Sequence, residues 1–265
     1  MMRRPLRGSA REKWYFIGAA ALIAIAAAAI TTAVLFPKEE DLSQNLCPVS
    51  GPTGHVILLV DATDPFTFTQ SKALAQLVEQ MAQPARTPQG TLLTVYVFGD
   101  DVRAGAEPMF ERCNPGSGVG KSEVTHTLKL WQERYAKEFQ DPLIQKVPEM
   151  QPKVSSPRSP IMQMLQIVSL SFKGHAASGE RRLIIVSDLL QNTPELSLYR
   201  EVPPYEQFRS RVEARRLRAD LAQVVVDAEL LLNTPQVQNR RFLKFWEDYF
   251  SDMGTRSFAV NPIPG

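Results

Sequence analysis

The longest hydrophobic run of the chain lies near its N-terminus, between Trp14 and Phe36, and no charged side chain interrupts it. A helix of this length, at about 1.5 Å per residue, crosses the roughly 30 Å hydrocarbon core of a bilayer. Arginine and lysine dominate positions 1–13, whereas acidic residues predominate directly after the run. Because basic flanks stay in the cytoplasm, the pattern predicts a cytoplasmic leader at 1–13, a transmembrane helix at 14–36 and a body outside the cytoplasm.

Two other structures also produce an apolar N-terminal run, namely a cleaved signal peptide and a buried core helix. The run is too long for a signal peptide, and it ends at Leu35-Phe36-Pro37 rather than in the small residues of a cleavage site. Its apolarity extends around the whole helix, which disfavours a one-sided core helix. We therefore expect an uncleaved single-pass anchor in the cytoplasmic (inner) membrane, with the body periplasmic or extracellular.

Beyond a polar linker at 37–53, apolar runs typical of buried strands alternate with segments of helical periodicity. The apolar runs predict strands at 55–61, 91–99, 181–188, 223–231 and 255–260. The helical periodicity predicts helices at 71–82, 124–140, 160–170, 204–218 and 236–253. Ser159 is the expected N-cap of the third helix. Segments 104–120 and 141–160 are rich in glycine, proline or serine and are expected to be irregular.

This alternation is typical of an α/β fold with parallel strands and right-handed crossovers. It predicts one domain, from 54 to 265, built on a doubly wound, mostly parallel sheet with helices on both faces. The composition, 44% hydrophobic and 22% charged, permits a sizeable core.

The charge of the chain gives no support for binding to nucleic acid. The net charge is +2, and the arginines of the leader account for more than that excess, so the folded part is close to neutral. The segment PGSGVGKS at 115–122 resembles a phosphate-binding loop, but Pro115 replaces the first required glycine and no apolar strand precedes it. We therefore expect no nucleotide ligand.

The chain contains two cysteines, Cys47 and Cys113, both in segments rich in proline and glycine. An even number of cysteines outside the cytoplasm favours a disulfide, which predicts a Cys47–Cys113 bridge. In a reducing compartment the same residues would be ordinary buried thiols.

Two of the predicted strands end in an acid, Asp61 in LLVDATDPFT and Asp188 in IIVSDLLQN. Ligands of open α/β sheets bind beyond the carboxyl ends of the strands, so these carboxylates are expected in one crevice. Hydroxyl residues lie close to both strands in the sequence, namely Thr63, Thr67, Thr69, Ser155, Ser156 and Ser159. Carboxylates, hydroxyls and water are the ligands of a hard divalent cation such as Mg²⁺.

At these residues the chain resembles the von Willebrand factor A family. That family carries an apolar strand followed by D-x-S-x-S, and the motif contributes to a metal-ion-dependent adhesion site. Asp61 matches the first position, and Thr63 matches the second with the other hydroxyl residue. Pro65 stands at the last position of the motif, where it offers no ligand atom.

The remaining parts of the family's site come from two later segments. A Thr or Ser in a later loop is matched by Ser156 or Ser159, and an Asp after a later strand is matched by Asp188. Leu189 follows that aspartate, where the family often has glycine. The resemblance implies a Rossmann-like fold and a partly degenerate Mg²⁺ site. Without a metal, the same acids are ordinary turn and helix-capping residues.

The leading functional hypothesis is therefore a membrane-anchored interaction domain that binds a protein partner outside the cytoplasm, as part of an envelope or membrane complex, and has no catalytic residues. One alternative is a membrane-tethered, metal-dependent hydrolase that uses the same acid pair, although no further general base is evident. The other alternative is a structural subunit whose crevice is inactive.

The membrane topology can be tested with reporter fusions. Because the leader is basic, alkaline phosphatase fused after Gly265 should be active, and a reporter that works only in the cytoplasm should be silent at the same position. The opposite pattern of activities would refute the orientation and remove the argument for a disulfide.

Overall fold

The computed structural model describes residues 15, 17, 19–27, 42–118, 127–152 and 154–265. The chain divides into two compact units, Met1–Asp41 and Leu42–Gly265. In the first unit the described residues are helical. Among all described residues, no helix combines the length and the apolarity that a membrane crossing needs. Most of the predicted span at 14–36, the leader at 1–13 and the part of the linker before Leu42 lie outside the described residues.

The second unit is built on a six-stranded sheet in the order β3-β2-β1-β4-β5-β6. All neighbouring strands are parallel except β2 and β3, which pair antiparallel. The strands are β1 (Gly54–Asp61), β2 (Thr91–Phe98), β3 (Phe110–Cys113), β4 (Arg181–Ser187), β5 (Val225–Leu232) and β6 (Ser257–Pro264).

Seven α-helices connect the strands within the described part of this unit: α1 (Phe68–Met81), α2 (Thr127–Tyr135), α3 (Asp141–Gln145), α4 (Ile161–Gly174), α5 (Tyr205–Arg209), α6 (Val212–Arg216) and α7 (Arg240–Asp252). A π-helical turn, Ala136–Gln140, joins α2 to α3, and short 3₁₀ turns lie at Ala104–Ala106 and Val147–Met150. The mostly parallel sheet with its connecting helices is the α/β fold that the strand and helix pattern predicts.

Burial on both faces of the sheet explains why its central strands read as continuous apolar runs. Successive side chains of a strand point to opposite faces. Ile57 and Leu59 of β1 pack in a core with α4 and α7. Leu58 and Val60 of the same strand pack with α1 in a second core. All four side chains are fully buried, so β1 is the centre of both cores.

Three predictions of local structure were wrong. The segment 104–120, expected to be irregular, contains β3, a four-residue edge strand that pairs with β2. The segment 141–160, also expected to be irregular, begins with α3 and a 3₁₀ turn. Ser159 is not an N-cap, because α4 starts after Pro160 without a capping side chain. Gly254 follows the C-cap of α7 and adopts a φ of 78°, the left-handed conformation with which many helices end.

The predicted disulfide between Cys47 and Cys113 is confirmed. Cys113 is the last residue of β3, and its backbone N–H donates to the carbonyl of Asn45 at 2.9 Å. The bridge therefore fastens the segment before β1 to the edge strand across a sequence separation of 66 residues. Residues 42–53, which were expected to be linker, belong to the compact unit.

We expect Cys113→Ser to lower the free energy of unfolding by about 2–5 kcal/mol, because the open chain gains conformational entropy when it unfolds. Urea denaturation under oxidising conditions measures the loss. Cys47→Ser should give an equal loss, and reductant should destabilise the wild type but neither variant. An unchanged urea midpoint in both variants would contradict a stabilising bridge.

Candidate functional site

The candidate site lies at the carboxyl edge of the sheet, where β1 and β4 end side by side. The parallel register pairs Val60 with Val186, so the next residues, Asp61 and Ser187, are neighbours. Asp188 follows Ser187 immediately beyond the strand. The parallel topology thus brings together the two acids that the sequence predicted at strand ends.

The carboxylate of Asp61 is the most densely bonded group of this edge. Its Oδ1 accepts hydrogen bonds from the backbone N–H of Thr63 at 3.0 Å and from the hydroxyl of Thr63 at 2.7 Å. Its Oδ2 accepts from the hydroxyls of Ser187 at 2.7 Å and Ser159 at 3.2 Å. Asp61 is only 4% exposed. Burial raises its pKa, and the bonds from Ser187, Thr63 and Ser159 oppose that rise.

The surroundings of Asp188 stabilise a negative charge less well than those of Asp61, because Asp188 accepts fewer hydrogen bonds. Its Oδ1 accepts from the backbone N–H of Leu190 at 2.9 Å, and its Oδ2 faces the hydroxyl of Tyr199 at 3.3 Å. Burial, followed by the negative charges of Asp61 and Asp64, raises the pKa of Asp188 to about 7. Two carboxylates that share one crevice therefore compete for ionisation.

The backbone after Asp188 takes a conformation that favours glycine. Leu189 has a φ of 57°, which costs a non-glycine residue about 1–2 kcal/mol. Its N–H donates to Ser187 Oγ at 2.8 Å, and its carbonyl accepts from Trp246 Nε1 at 3.0 Å. These bonds, together with full burial of the leucine side chain, hold the strained residue in place. The glycine that the family often carries here would adopt this φ without strain.

A cavity of about 280 Å³ opens beside the two acids. Its wall contains three of the predicted site residues, Thr63, Ser156 and Ser159. The other wall residues are Asp64, Pro157, Arg158, Asn192 and Tyr199. Ser156 is held there by its backbone N–H, which donates to the carbonyl of Thr63 at 2.6 Å. The structure thus places Thr63, Ser156 and Ser159 in the cavity wall, and Asp61 and Asp188 in contact with residues of that wall.

The other hydroxyl residues near β1 do not belong to the cavity wall. Thr67 is the N-cap of α1, where its hydroxyl accepts from the N–H of Gln70 at 3.2 Å and the Gln70 side chain bonds back to the N–H of Thr67. Thr69 is exposed in the first turn of α1, and Pro65 is exposed as well.

The donor set fits a cation held mainly by hydroxyls and water. Thr63 and Ser159 donate their hydroxyl protons to Asp61, which leaves oxygen lone pairs available to a metal. Nearby carboxylates whose charges repel one another would be stabilised by a divalent ion. Within the described ranges no three acidic, histidine or cysteine side chains are grouped so that they could hold a metal ion by themselves.

Ser187, Asp64 and Tyr199 are among the residues of the crevice that were not predicted from the sequence. Ser187 was hidden because the register of parallel neighbours cannot be read from either strand alone. Asp64 lies in the D-A-T-D-P turn, where it looked like an ordinary turn residue. Tyr199 lies in the loop after Asp188, which folds back through the bridges Ser159↔Asn192 and Asn192↔Ser197. The Thr193-Pro194 turn is the sequence signal for this change of direction.

No protein-family model matches the chain, and no curated protein sequence matches it. Similar solved structures include the human COPII-coat protein Sec24c, at 11% identity over 81% of this chain and 30% of that one, with a TM-score of 0.41. Another is the manganese-loaded TRAP protein of Plasmodium vivax, at 11% identity over 66% of this chain and 57% of that one, with a TM-score of 0.31. The chain spans less than two thirds of either protein, and similarity at this level says nothing about its site. The six-stranded α/β architecture itself fits the Rossmann-like fold that the sequence resemblance implies.

The raised pKa of Asp188 predicts how stability changes with pH. A carboxyl whose folded-state pKa lies above its ordinary value stabilises the fold fully below about pH 4 and loses that contribution as the pH rises through about 7. Asp188→Asn stays neutral, so the wild type should lose about 2–4 kcal/mol relative to it between pH 4 and 8. Urea unfolding in EDTA measures this difference. Parallel pH profiles for the two proteins would show that Asp188 is not perturbed.

Proposed function

We propose that this chain is a von Willebrand factor A-like interaction domain, held at the membrane by residues 14–36, that binds a protein partner outside the cytoplasm. The observation that carries the proposal is the crevice at the carboxyl edge of the sheet. There, hydroxyls from two loops converge on one buried carboxylate next to an open cavity. Ligands of open α/β sheets bind at such edges.

Each residue has a distinct part in the proposed site. The hydroxyls of Thr63 and Ser159 would hold Mg²⁺, and Ser156 lies within the same wall. Asp61 orients those hydroxyls by accepting their protons, and Asp188 adds negative charge beyond the strand end. The bound cation supplies an open coordination position for an acidic side chain of the partner, with water in place of the ligand that Pro65 lacks.

The proposed location outside the cytoplasm agrees with two features of the chain. Disulfides persist in oxidising compartments, and Cys47 and Cys113 are bonded. The leader at 1–13 is basic, and by the positive-inside rule such a segment stays in the cytoplasm, so the body after the predicted span lies on the other side.

An enzymatic role is disfavoured by the chemistry of the acids. Both oxygens of Asp61 accept hydrogen bonds, so this carboxylate is a poor base or nucleophile. His55 lies at the amino end of β1, away from the crevice, and burial lowers its pKa to about 3. A membrane-tethered hydrolase would therefore have to rely on Asp188 and a metal.

One observation favours the second candidate, a structural subunit whose crevice is inactive. The hydrogen bonds that Asp61 accepts come from this chain's own groups, so the carboxylate is satisfied without a ligand. In that case the partner would bind to another surface of the domain, and the acids would stabilise the loops.

A metal titration followed by thermal unfolding distinguishes the two candidates. Mg²⁺ at 100 times its dissociation constant should stabilise the wild type by about 2.7 kcal/mol, which raises the melting temperature by about 5–11 °C. Asp61→Asn and Asp188→Asn should each abolish the shift, and the double variant should behave like either single one because both act through one ion. Asp248→Asn, a change at a half-buried acid of α7 outside the crevice, is the matched control that keeps the shift.

A structural subunit with an inactive crevice would give a different result. If Mg²⁺ leaves the wild-type melting temperature unmoved, and the two substitutions change stability additively and independently of metal, the acids serve only the fold. The adhesion-site proposal would then be abandoned, and the fold would stand.

A further inference from the structure

Tyr199 lies in the wall of the cavity, next to Asp64 and Asp188. Its hydroxyl lies 3.3 Å from Asp188 Oδ2 and 3.4 Å from Asp64 Oδ2, and its ring forms part of the cavity wall. Asp188 Oδ1 is already engaged by the N–H of Leu190. Tyr199, which lies in the cavity wall, therefore contacts the second oxygen of Asp188.

The loop that carries Tyr199 is firmly built. Gln191 accepts from the N–H of Met162 through its side chain, and its carbonyl accepts from the N–H of Leu198 at 2.9 Å. Leu196 and Leu198 are buried in the core that contains α4 and α7. These contacts fix the backbone on the N-terminal side of Tyr199, so the position of the tyrosine over the acids is determined by the fold.

The tyrosine itself is held loosely compared with its loop. Both contacts of its hydroxyl are longer than the usual 2.5–3.0 Å of an O–H···O bond, and one proton can serve only one carboxylate at a time. The residue is 41% exposed. Outward rotation of the ring would thus break two weak contacts and leave the loop's buried leucines in place.

We propose that Tyr199 is a gate over the acids: its hydroxyl occupies carboxylate oxygens of Asp64 and Asp188, and a divalent cation that binds in the cavity displaces it. The gate rests on the proposed function, because it regulates the same site. Displacement also moves an exposed aromatic ring at the rim of the cavity, so that cation binding changes the surface that meets a partner.

Calorimetric Mg²⁺ titration of the full chain in detergent tests the gate. Tyr199→Phe keeps the ring but removes the competing hydroxyl, and it should bind Mg²⁺ about three- to tenfold more tightly than the wild type. Tyr199→Ala, which removes the gate entirely, should bind at least as tightly. Tyr205→Phe is the matched control, because its hydroxyl donates to a carboxylate outside the crevice, that of Asp252 at 2.8 Å. It should bind like the wild type.

A second readout follows the tyrosine directly. In protein labelled with ¹³C at the tyrosine ε carbons, Mg²⁺ should shift the resonance of Tyr199 and leave that of Tyr205 in place. If the wild type binds no Mg²⁺ but Tyr199→Ala does, the tyrosine keeps the ion from the acids, and this result also supports the gate.

Two results would overturn the inference, and they have different consequences. If the wild type binds Mg²⁺ and Tyr199→Phe binds equally or more weakly, the gate is refuted while the metal-dependent function survives. If neither the wild type nor either Tyr199 variant binds Mg²⁺, the gate and the metal-dependent function both fail.

Discussion

The buried carboxylate of Asp61 is the interaction on which the candidate site depends. A carboxylate removed from water loses several kcal/mol of solvation unless hydrogen bonds replace that water. Here the replacement comes from three places in the chain: the turn after β1, the residue before Pro160 at the start of α4, and the last residue of β4. The need to satisfy one charge therefore fixes the relative positions of three loops, and the cavity lies where they meet.

Hydrogen bonds from core residues also hold the backbone around Asp188. The side-chain amide of Gln238 donates to the carbonyl of Asp188 at 2.9 Å and to that of Leu231 at 2.7 Å, which ties the end of β4 to the end of β5. Trp246 of α7, fully buried, donates to the carbonyl of Leu189. A helix far along the sequence thus holds the strained residue in place.

The sequence predicted the parts of the molecule that have a strong periodic signal. HVILLVD and RRLIIVSD are buried on both faces, so their apolar runs identified β1 and β4 and the acids that end them. The strand FERC was missed because it is short, lies at the sheet edge and has partly exposed central residues. Ser187 and Tyr199 were missed because their roles arise from strand register and loop return, which are tertiary features. Ser159 was assigned to the helix cap because local preference could not reveal a partner 98 residues away.

We propose that the hydroxyls oriented by Asp61 form a cation site, and a crystal grown with Mn²⁺ tests this proposal most directly. Mn²⁺ takes the same hard oxygen ligands as Mg²⁺ and scatters anomalously. We expect one anomalous peak in the crevice, about 2.0–2.3 Å from the hydroxyl oxygens of Thr63 and Ser159, with the bonds to Asp61 retained. An anomalous map with no peak in the crevice at millimolar Mn²⁺ would contradict it.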